Sequence, residues 1–272
     1  MAEGSRITLP LRLWFIVEIL FGVFAILGIA LAPAATATTF AWDIQPPVSA
    51  AVLGGFYLSV APVFVLAALA RRWEMVRVII WPAIVFTSME LLATFLHWEN
   101  FLHGTTGFYT WFASYALPPP VFLALYIYQQ RRAGTPITMA PLGRGLRITL
   151  IVLGSLLVVE GLLSFVSPTL LTANHAIGLT PLTARALAGW LTALGLLMLS
   201  IARENGREAS LVATPFLILP LPMLAMQILR FPDQVDWSHP RRLFAGALFA
   251  TVCGLGIALA RGNWRGVLTG GS

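Results

Sequence analysis

The sequence predicts an all-α, polytopic membrane protein with eight transmembrane helices arranged as two parallel four-helix repeats. Three observations support this fold class. Hydrophobic residues make up 58% of the 272 residues and charged residues only 10%, whereas about a quarter of the residues in soluble proteins are charged. The mean hydropathy is +0.84, and long apolar runs alternate with short arginine-containing loops. Finally, the second half of the chain resembles the first.

Eight stretches contain the roughly 20 apolar residues that a helix needs to cross the hydrocarbon core. They lie near 11–32, 49–70, 76–97, 107–129, 147–167, 181–201, 210–229 and 240–260. The first stretch, with arginines before it and "APAATA" after it, also has features of a secretory signal peptide. Because it is longer than a usual signal core and a similar helix recurs later in the chain, we expect it to be retained.

The distribution of arginine predicts the orientation, because cytoplasmic loops are enriched in basic residues. If the eight spans alternate in direction, Arg185, Arg230, Arg241 and Arg242 lie on one side and the other arginines lie on the opposite side. We therefore expect a multi-pass protein of the bacterial plasma (inner) membrane with both termini in the cytoplasm.

The net charge of +6 does not indicate nucleic acid as a partner, because the arginines are dispersed among short loops rather than gathered on one face. The expected surroundings are the lipid bilayer, together with membrane protein partners or further copies of the chain. The single cysteine, Cys253, excludes a disulfide within the chain and a cysteine-rich metal site.

An internal duplication is visible in the first helix of each half. The segment "LRLWFIVEILFGVFAILGIALAP" from residue 11 aligns without a gap with "LRITLIVLGSLLVVEGLLSFVSP" from residue 146. Farther along, "LGGF" at 53 matches "LAGW" at 187, and "AR" at 70 matches "AR" at 202. We predict one repeat over 1–132 and the other over 133–272, related by an axis along the membrane normal because four helices return the chain to its starting side.

Each predicted repeat opens with arginine, closes its first helix at proline and carries a glycine-rich second helix before an arginine turn. In these features it resembles the DoxX-like four-helix bacterial membrane proteins. The resemblance implies the architecture of each half and no particular chemistry. The halves also differ, since an offset near 133 places Glu90 opposite Met223 and His97 opposite Arg230.

Three acidic residues, Glu18, Glu90 and Glu160, fall inside predicted spans. Charged side chains are rare and energetically costly there, so each is a candidate for a ligand or proton path. Glu18 and Glu160 lie beside small residues, which mark helix interfaces. The alternative role for both is a protonated carboxyl group that hydrogen-bonds across such an interface.

The spacing around Glu90 extends this candidate site along the third predicted span. Thr87, Glu90, Thr94 and His97 recur at intervals of three and four residues, which places them on one helix face. This face could pass a proton toward the outer surface, or it could form a polar seam between helices.

The fourth and seventh predicted spans contain clustered prolines, in "YALPPPVF" at 115–122 and "TPFLILPLPM" at 214–223. Proline has no N–H and clashes with the preceding turn, so we expect bent helices with freed carbonyl groups. In a bilayer these groups must face protein or a water-filled cavity, which makes Tyr115 a further candidate. Packing kinks without a functional role are the alternative.

No metal site and no cofactor are predicted. The four histidines, His97, His103, His175 and His239, all fall near the outer edge, and their spacing matches no zinc pattern. A membrane-embedded haem would need axial histidines deep in facing helices, and no histidine lies there. A haem could therefore bind only at the outer face.

No nucleophile elbow, metalloprotease motif or phosphate-binding loop occurs in the sequence, which argues against an enzyme. Three functions are compatible with the pattern. The first is a carrier of a small molecule or proton that uses the Glu90 face. The second is a non-catalytic accessory or assembly subunit, and the third is a cofactor- or lipid-binding redox or transferase protein.

Overall fold

The computed structural model describes residues 6–134, 139–173 and 176–261, and within these ranges the chain is helical with no β-strand beyond isolated bridges. The main helices are α1 (Leu9–Ala25), α2 (Pro47–Leu69), α3 (Arg77–Leu96), α4 (Thr106–Ala116), α5 (Pro118–Arg131), α6 (Arg144–Val166), α7 (Pro181–Glu204), α8 (Pro215–Ile218), α9 (Pro220–Ile228) and α10 (Arg241–Ala260). A π-helical segment, Ile26–Leu31, continues α1.

Six helices in the described residues are long and apolar enough to cross a membrane, as expected for an integral membrane protein. They are Leu9–Leu31, Pro47–Leu69, Arg77–Leu96, Arg144–Val166, Pro181–Glu204 and Arg241–Ala260. Each of these six overlaps one of the predicted spans. The remaining two predicted spans, 107–129 and 210–229, do not form continuous helices.

Both exceptions are interrupted immediately before prolines. The fourth predicted span is divided at Leu117 into α4 and α5, and the seventh at Leu219 into α8 and α9. The cause is the missing proline N–H. Helical hydrogen bonding resumes directly after each break, with Val121 N donating to Leu117 O at 3.2 Å and Met223 N to Leu219 O at 2.9 Å.

Arginine side chains tie helix ends together at the end of the bundle where α1 begins, here called the near end. The guanidinium of Arg12, at the start of α1, donates to Ala68 O (2.7 Å) and Ala70 O (2.9 Å) at the end of α2. In the second half, Arg147 Nε at the start of α6 donates to Ala202 O near the end of α7 at 3.0 Å. In each half, the contact therefore joins the start of the first helix to the end of the second helix.

The opposite end of the bundle, the far end, is also tied by arginines. Arg230, at the end of α9, donates to Leu31 O at 3.1 Å, and Arg185, in the first turns of α7, donates to Phe165 O at 3.0 Å. Helices α1 and α6 therefore both end at the far end, where α7 begins. Of the six long helices, α1, α3 and α6 run from the near end to the far end, and α2, α7 and α10 run in the opposite direction.

The two halves pack against each other reciprocally. Helix α2 packs along α9, and α3 packs along α7. At the centre, the rings of Phe56 on α2 and Trp190 on α7 stack with their centroids 5.6 Å apart and an interplanar angle of 9°. These rings occupy corresponding positions of the "LGGF" and "LAGW" segments.

Candidate functional site

Glu90 on α3 lies at the interface between the halves. Its side chain is 1% exposed, and neither carboxyl oxygen has a hydrogen-bond partner among the described residues. The carboxyl group packs on Gly189 of α7, where a Cβ atom would lie 3.5 Å from the Glu90 Cδ atom and closer still to Oε1. Glycine at this position makes room for the acid, whose unpaired burial is costly and therefore points to a role in function.

Two buried tyrosines lie next to Glu90. The hydroxyl groups of Tyr57 on α2 and Tyr115 on α4 are hydrogen-bonded to each other. Glu90 lies close enough to interact electrostatically with both hydroxyls, and Glu18 of α1 with that of Tyr115. Four helices thus bring two acids and two phenols to one region.

Glu18 and both tyrosines line a cavity of about 100 Å³ between α1, α2, α3, α4, α7 and α8, whereas Glu90 lies one turn of α3 beyond the lining residue Thr87. The polar lining residues of the cavity are Glu18, Tyr57, Thr87, Ser114 and Tyr115, and no basic residue is among the described residues that line it. Because Glu18, Tyr57 and Thr87 lie near the middle of their helices, the cavity lies near mid-depth of the membrane.

Aromatic rings form much of the cavity wall. Phe86 and Trp190 approach to 4.1 Å between ring centroids, and Trp111 and Tyr115 to 4.3 Å. Phe216 packs against Trp190 on the side of the second half. A small ligand in this cavity would therefore meet ring faces and the carboxyl group of Glu18.

Glu18 reaches the cavity from α1. Its side chain is 8% exposed, and Oε1 has no hydrogen-bond partner in the described part of the chain. Gly22 follows one turn later on the same helix face, and a Cβ atom there would meet no heavy atom within 4 Å. The absent side chain of Gly22 thus leaves part of the cavity open.

The break between α4 and α5 lies at the cavity wall. Prolines 118–120 cannot donate hydrogen bonds to the carbonyl groups of residues 114–116, which leaves these carbonyls without their usual helical donors. Ser114 and Tyr115 line the cavity. Polar backbone at this depth is tolerated where it faces protein or a cavity.

The other members of the predicted Glu90 face make separate contacts. Thr87 Oγ1 donates to Ala83 O at 2.8 Å, and Thr94 Oγ1 donates to Glu90 O at 2.8 Å while it accepts from Trp111 Nε1 at 2.9 Å. Both hydroxyls are bonded to carbonyls of α3 itself. The hydrogen bonds do not join the four residues into a chain.

His97 lies at the far end, just beyond the last residue of α3. Its Nε2 accepts a hydrogen bond from Arg185 Nη1 at 2.5 Å, because a guanidinium can only donate. Burial, followed by the positive charge of Arg185, lowers the pKa of His97. His97 is therefore a neutral acceptor near pH 7 and lies apart from the cavity that Glu18 and Tyr115 line.

Glu160 of α6 is not part of this site. It is partly exposed and lines a different cavity, together with Arg241 and Arg242 at the start of α10. Its neighbour Gly161 packs closely on α7, where a Cβ atom would lie 2.8 Å from Ala188 O. The small residue beside Glu160 marks a tight helix interface, as expected, while the carboxyl group points to the cavity.

No group of three or more histidine, cysteine, aspartate or glutamate residues in the described ranges is placed to hold a metal ion. His103 contacts Trp98 O through Nε2 at 2.9 Å, and His239 Nδ1 accepts from Arg241 N at 3.2 Å. His175 lies outside the described residues.

Sequence reasoning missed three members of the site, Tyr57, Gly189 and Trp190, and also the contact between Arg185 and His97 at the far end. A signal for the three site members was present in the repeat, because "LGGFY" and "LAGW" carry paired glycines and aromatics at mid-helix. Gly189 matters only because Glu90 packs against it, which requires knowing that α3 and α7 are neighbours.

No family model, curated protein or solved structure matches this chain. The fold and the site define a class nonetheless: an α-helical membrane protein with an acidic, aromatic-walled cavity deep within its bundle.

Proposed function

We propose that this protein is a carrier of the plasma membrane that exchanges protons for small organic cations, with Glu90 as the exchanging group. The observation that carries this proposal is the unpartnered Glu90 carboxyl group, one turn of α3 from Thr87 in the wall of a cavity at mid-depth of the bundle. Glu18 is the acid in the lining of the cavity itself.

The chemistry of the lining favours a cation over an anion or a sugar. The described lining residues include no base, and aromatic faces attract organic cations through their quadrupoles. A cavity of about 100 Å³ suits a compact ligand rather than a drug-sized molecule, whose pockets usually exceed roughly 300 Å³. A small ammonium ion fits these requirements.

Exchange follows from the cost of an unpaired charge. A carboxylate buried among apolar groups requires a compensating positive charge, which a proton or a bound cation can supply. Because either one satisfies the same carboxyl group, binding of the cation favours release of the proton. Loading the site from opposite sides then couples the two fluxes.

The proposed architecture has eight membrane crossings in two parallel repeats, with α4 and α5 forming the fourth crossing and α8 and α9 the seventh. The equivalent contacts of Arg12 and Arg147 support the duplication, as does the stacking of Phe56 on Trp190. The arginine-rich near end would face the cytoplasm. The boundary near 132 precedes residues 135–138, which lie outside the described ranges.

The proposal is tested with the purified protein in vesicles that contain a trapped pH indicator. Tetramethylammonium is the probe, because it is a permanent organic cation that carries no proton of its own. An inward gradient of tetramethylammonium should make the vesicle interior alkaline as protons leave in exchange.

The Glu90→Gln variant should reduce this signal to that of protein-free vesicles. The matched control is Glu99→Gln, which removes an exposed acid from the far end and should exchange as the wild type does. A wild-type protein without any exchange would contradict the carrier function and favour an accessory-subunit role. Unchanged exchange in Glu90→Gln would leave Glu90 as a structural residue.

A further inference from the structure

Two adjoining cavities, of about 310 and 360 Å³, lie in the second half between α10 and the helices α6, α7 and α9. They share Leu171, Ala176, Leu191, Arg242, Ala245 and Phe249, and together they are called the far-end slot. The slot is separate from the cavity that Glu18 and Tyr115 line, with which it has no lining residue in common.

The walls of the slot are mainly aliphatic and aromatic. Residues from α2, α7, α9 and α10 form its deeper part, among them Phe56, Leu187, Leu191, Leu224 and Phe249. Along α10 the slot extends from Arg242 to Phe249, which corresponds to a depth of about 10 Å at 1.5 Å per residue. One leaflet of the hydrocarbon core is about 15 Å thick, so the slot runs through most of it.

The mouth of the slot is positively charged. Arg241 and Arg242 line it together with Glu160, which leaves an excess of one positive charge. Arg241 Nη1 donates to Leu170 O at 3.0 Å, whereas Arg242 forms no ion pair with any described residue. The acid Asp236 lies nearby but does not line the slot, and its Oδ1 accepts a hydrogen bond from Ser238 N at 2.9 Å.

We propose that the far-end slot binds one anionic phospholipid, with the phosphate at Arg242 and an acyl chain along Phe249. The depth matches a lipid chain, and the single negative charge of a phosphodiester balances the excess at the mouth. Guanidinium groups recognise phosphate oxygens well, and basic pockets between membrane helices are a known type of lipid site. The site does not depend on the exchange function of Glu90.

Native mass spectrometry of the intact protein tests this proposal. The wild-type protein is mixed in detergent with equal amounts of phosphatidylglycerol and phosphatidylcholine, and the detergent is then removed in the mass spectrometer. We expect one retained phosphatidylglycerol per protein and little retained phosphatidylcholine. Glycerol 1-phosphate, which carries the phosphate without acyl chains, should not displace the lipid.

Two variants separate the slot from the general lipid surface. Gly246 lines the slot with open space around it, so Gly246→Leu should fill the slot without a clash. Gly254, on the same helix but outside the slot, also has open space, which makes Gly254→Leu the matched control. We expect at least a fivefold loss of retained phosphatidylglycerol in Gly246→Leu and no loss in Gly254→Leu.

Arg242→Gln should abolish the preference for phosphatidylglycerol over phosphatidylcholine. Equal retention of both lipids by the wild type, or equal retention by Gly246→Leu and the wild type, would overturn the proposal. Displacement by glycerol 1-phosphate would instead indicate a site for free phosphate compounds, which also contradicts a lipid-chain slot.

Discussion

The two halves of the molecule meet in two equivalent helix contacts, and a different residue is packed against glycine in each. In the first, a leucine is packed against a glycine: Leu224 of α9 lies on Gly55 of α2, where a Cβ atom would be 2.9 Å from Leu224 Cδ2. In the second, Glu90 of α3 lies on Gly189 of α7. One contact is ordinary apolar packing, and the other holds an unpartnered acid beside a cavity.

This comparison separates what the fold requires from what function requires. The apolar contact at Leu224 shows that the packing between α2 and α9 is satisfied without an acid, so packing alone gives no reason for Glu90. The structure also refines the pairing, because the offset near 133 placed Glu90 opposite Met223, whereas the contact with glycine pairs it with Leu224.

The surroundings of the two contacts differ as well. In the first half, α4 and α5 pack against both α1 and α3, and α4 forms part of the wall of the cavity that Glu18 and Tyr115 line. In the second half, α10 packs mainly on α8 and α9, and the far-end slot separates it from α6 and α7. The first half thus surrounds a small acidic cavity, and the second leaves a longer apolar opening.

The largest effect is expected from placing an acid in the apolar contact. Leu224→Glu should lower the free energy of unfolding by about 3 kcal/mol, because a charged side chain at the centre of a membrane helix is strongly unfavourable. Thermal unfolding in detergent measures the change. Leu224→Met keeps the apolar volume and should unfold close to the wild type, and equal stability of all three proteins would mean that both contacts tolerate an acid.

The reverse change should stabilise the protein. Glu90→Leu removes a buried carboxyl group without hydrogen-bond partners and should raise the free energy of unfolding by about 1–3 kcal/mol, while proton exchange is lost. The same unfolding measurement, paired with the vesicle assay, checks both results. A less stable Glu90→Leu protein would identify Glu90 as structural and remove the basis of the comparison.

Filling the cavity tests whether it holds the cation. A leucine at position 22 meets no neighbour at its Cβ atom and extends into the space next to Glu18. We expect Gly22→Leu to weaken tetramethylammonium binding at least about tenfold, equivalent to 1.4 kcal/mol, with little change in stability. Isothermal titration measures the affinity, and unchanged binding would place the cation elsewhere.

The smallest effect concerns His97. Its pKa is lowered in the folded protein, so the unfolded chain binds more protons than the folded protein once the pH falls below about 6.5. The free energy of unfolding should therefore decrease as the pH falls through this region. His97→Gln keeps a neutral hydrogen-bond acceptor for Arg185 and should lose this part of the pH dependence. Unfolding temperatures at pH 8 and pH 5 compare the two proteins, and parallel curves would contradict the assignment.

Local sequence patterns predicted much of the fold, because apolar runs long enough to cross a membrane can be recognised from the sequence alone. The prolines at 118–120 and 220 also predicted bends in the fourth and seventh spans, and the structure has a helix break directly before each. The described residues form six continuous helices of membrane length rather than the eight predicted, because proline cannot maintain the helical hydrogen bonds across those positions.

The site was less accessible to sequence reasoning because its members come from five helices. Glu90 and Glu18 stood out as acids in apolar segments, and Tyr115 as a residue whose backbone carbonyl group is freed by the prolines that follow. Their grouping with Tyr57 and Gly189 depends on helix packing, which spacing along one helix does not contain. The same limit explains why Thr94 and His97, although on one helix face with Glu90, do not bond to its carboxyl group: Thr94 bonds to the Glu90 backbone carbonyl and to Trp111, and His97 bonds to Arg185.

Proton exchange at Glu90 is tested most directly by the number of protons released when the purified protein binds tetramethylammonium in weakly buffered detergent solution. We expect release of about one proton per bound cation by the wild type and none by Glu90→Gln. Binding by the wild type without proton release, or equal release by the Glu90→Gln protein, would contradict the claim that Glu90 exchanges a proton for a cation.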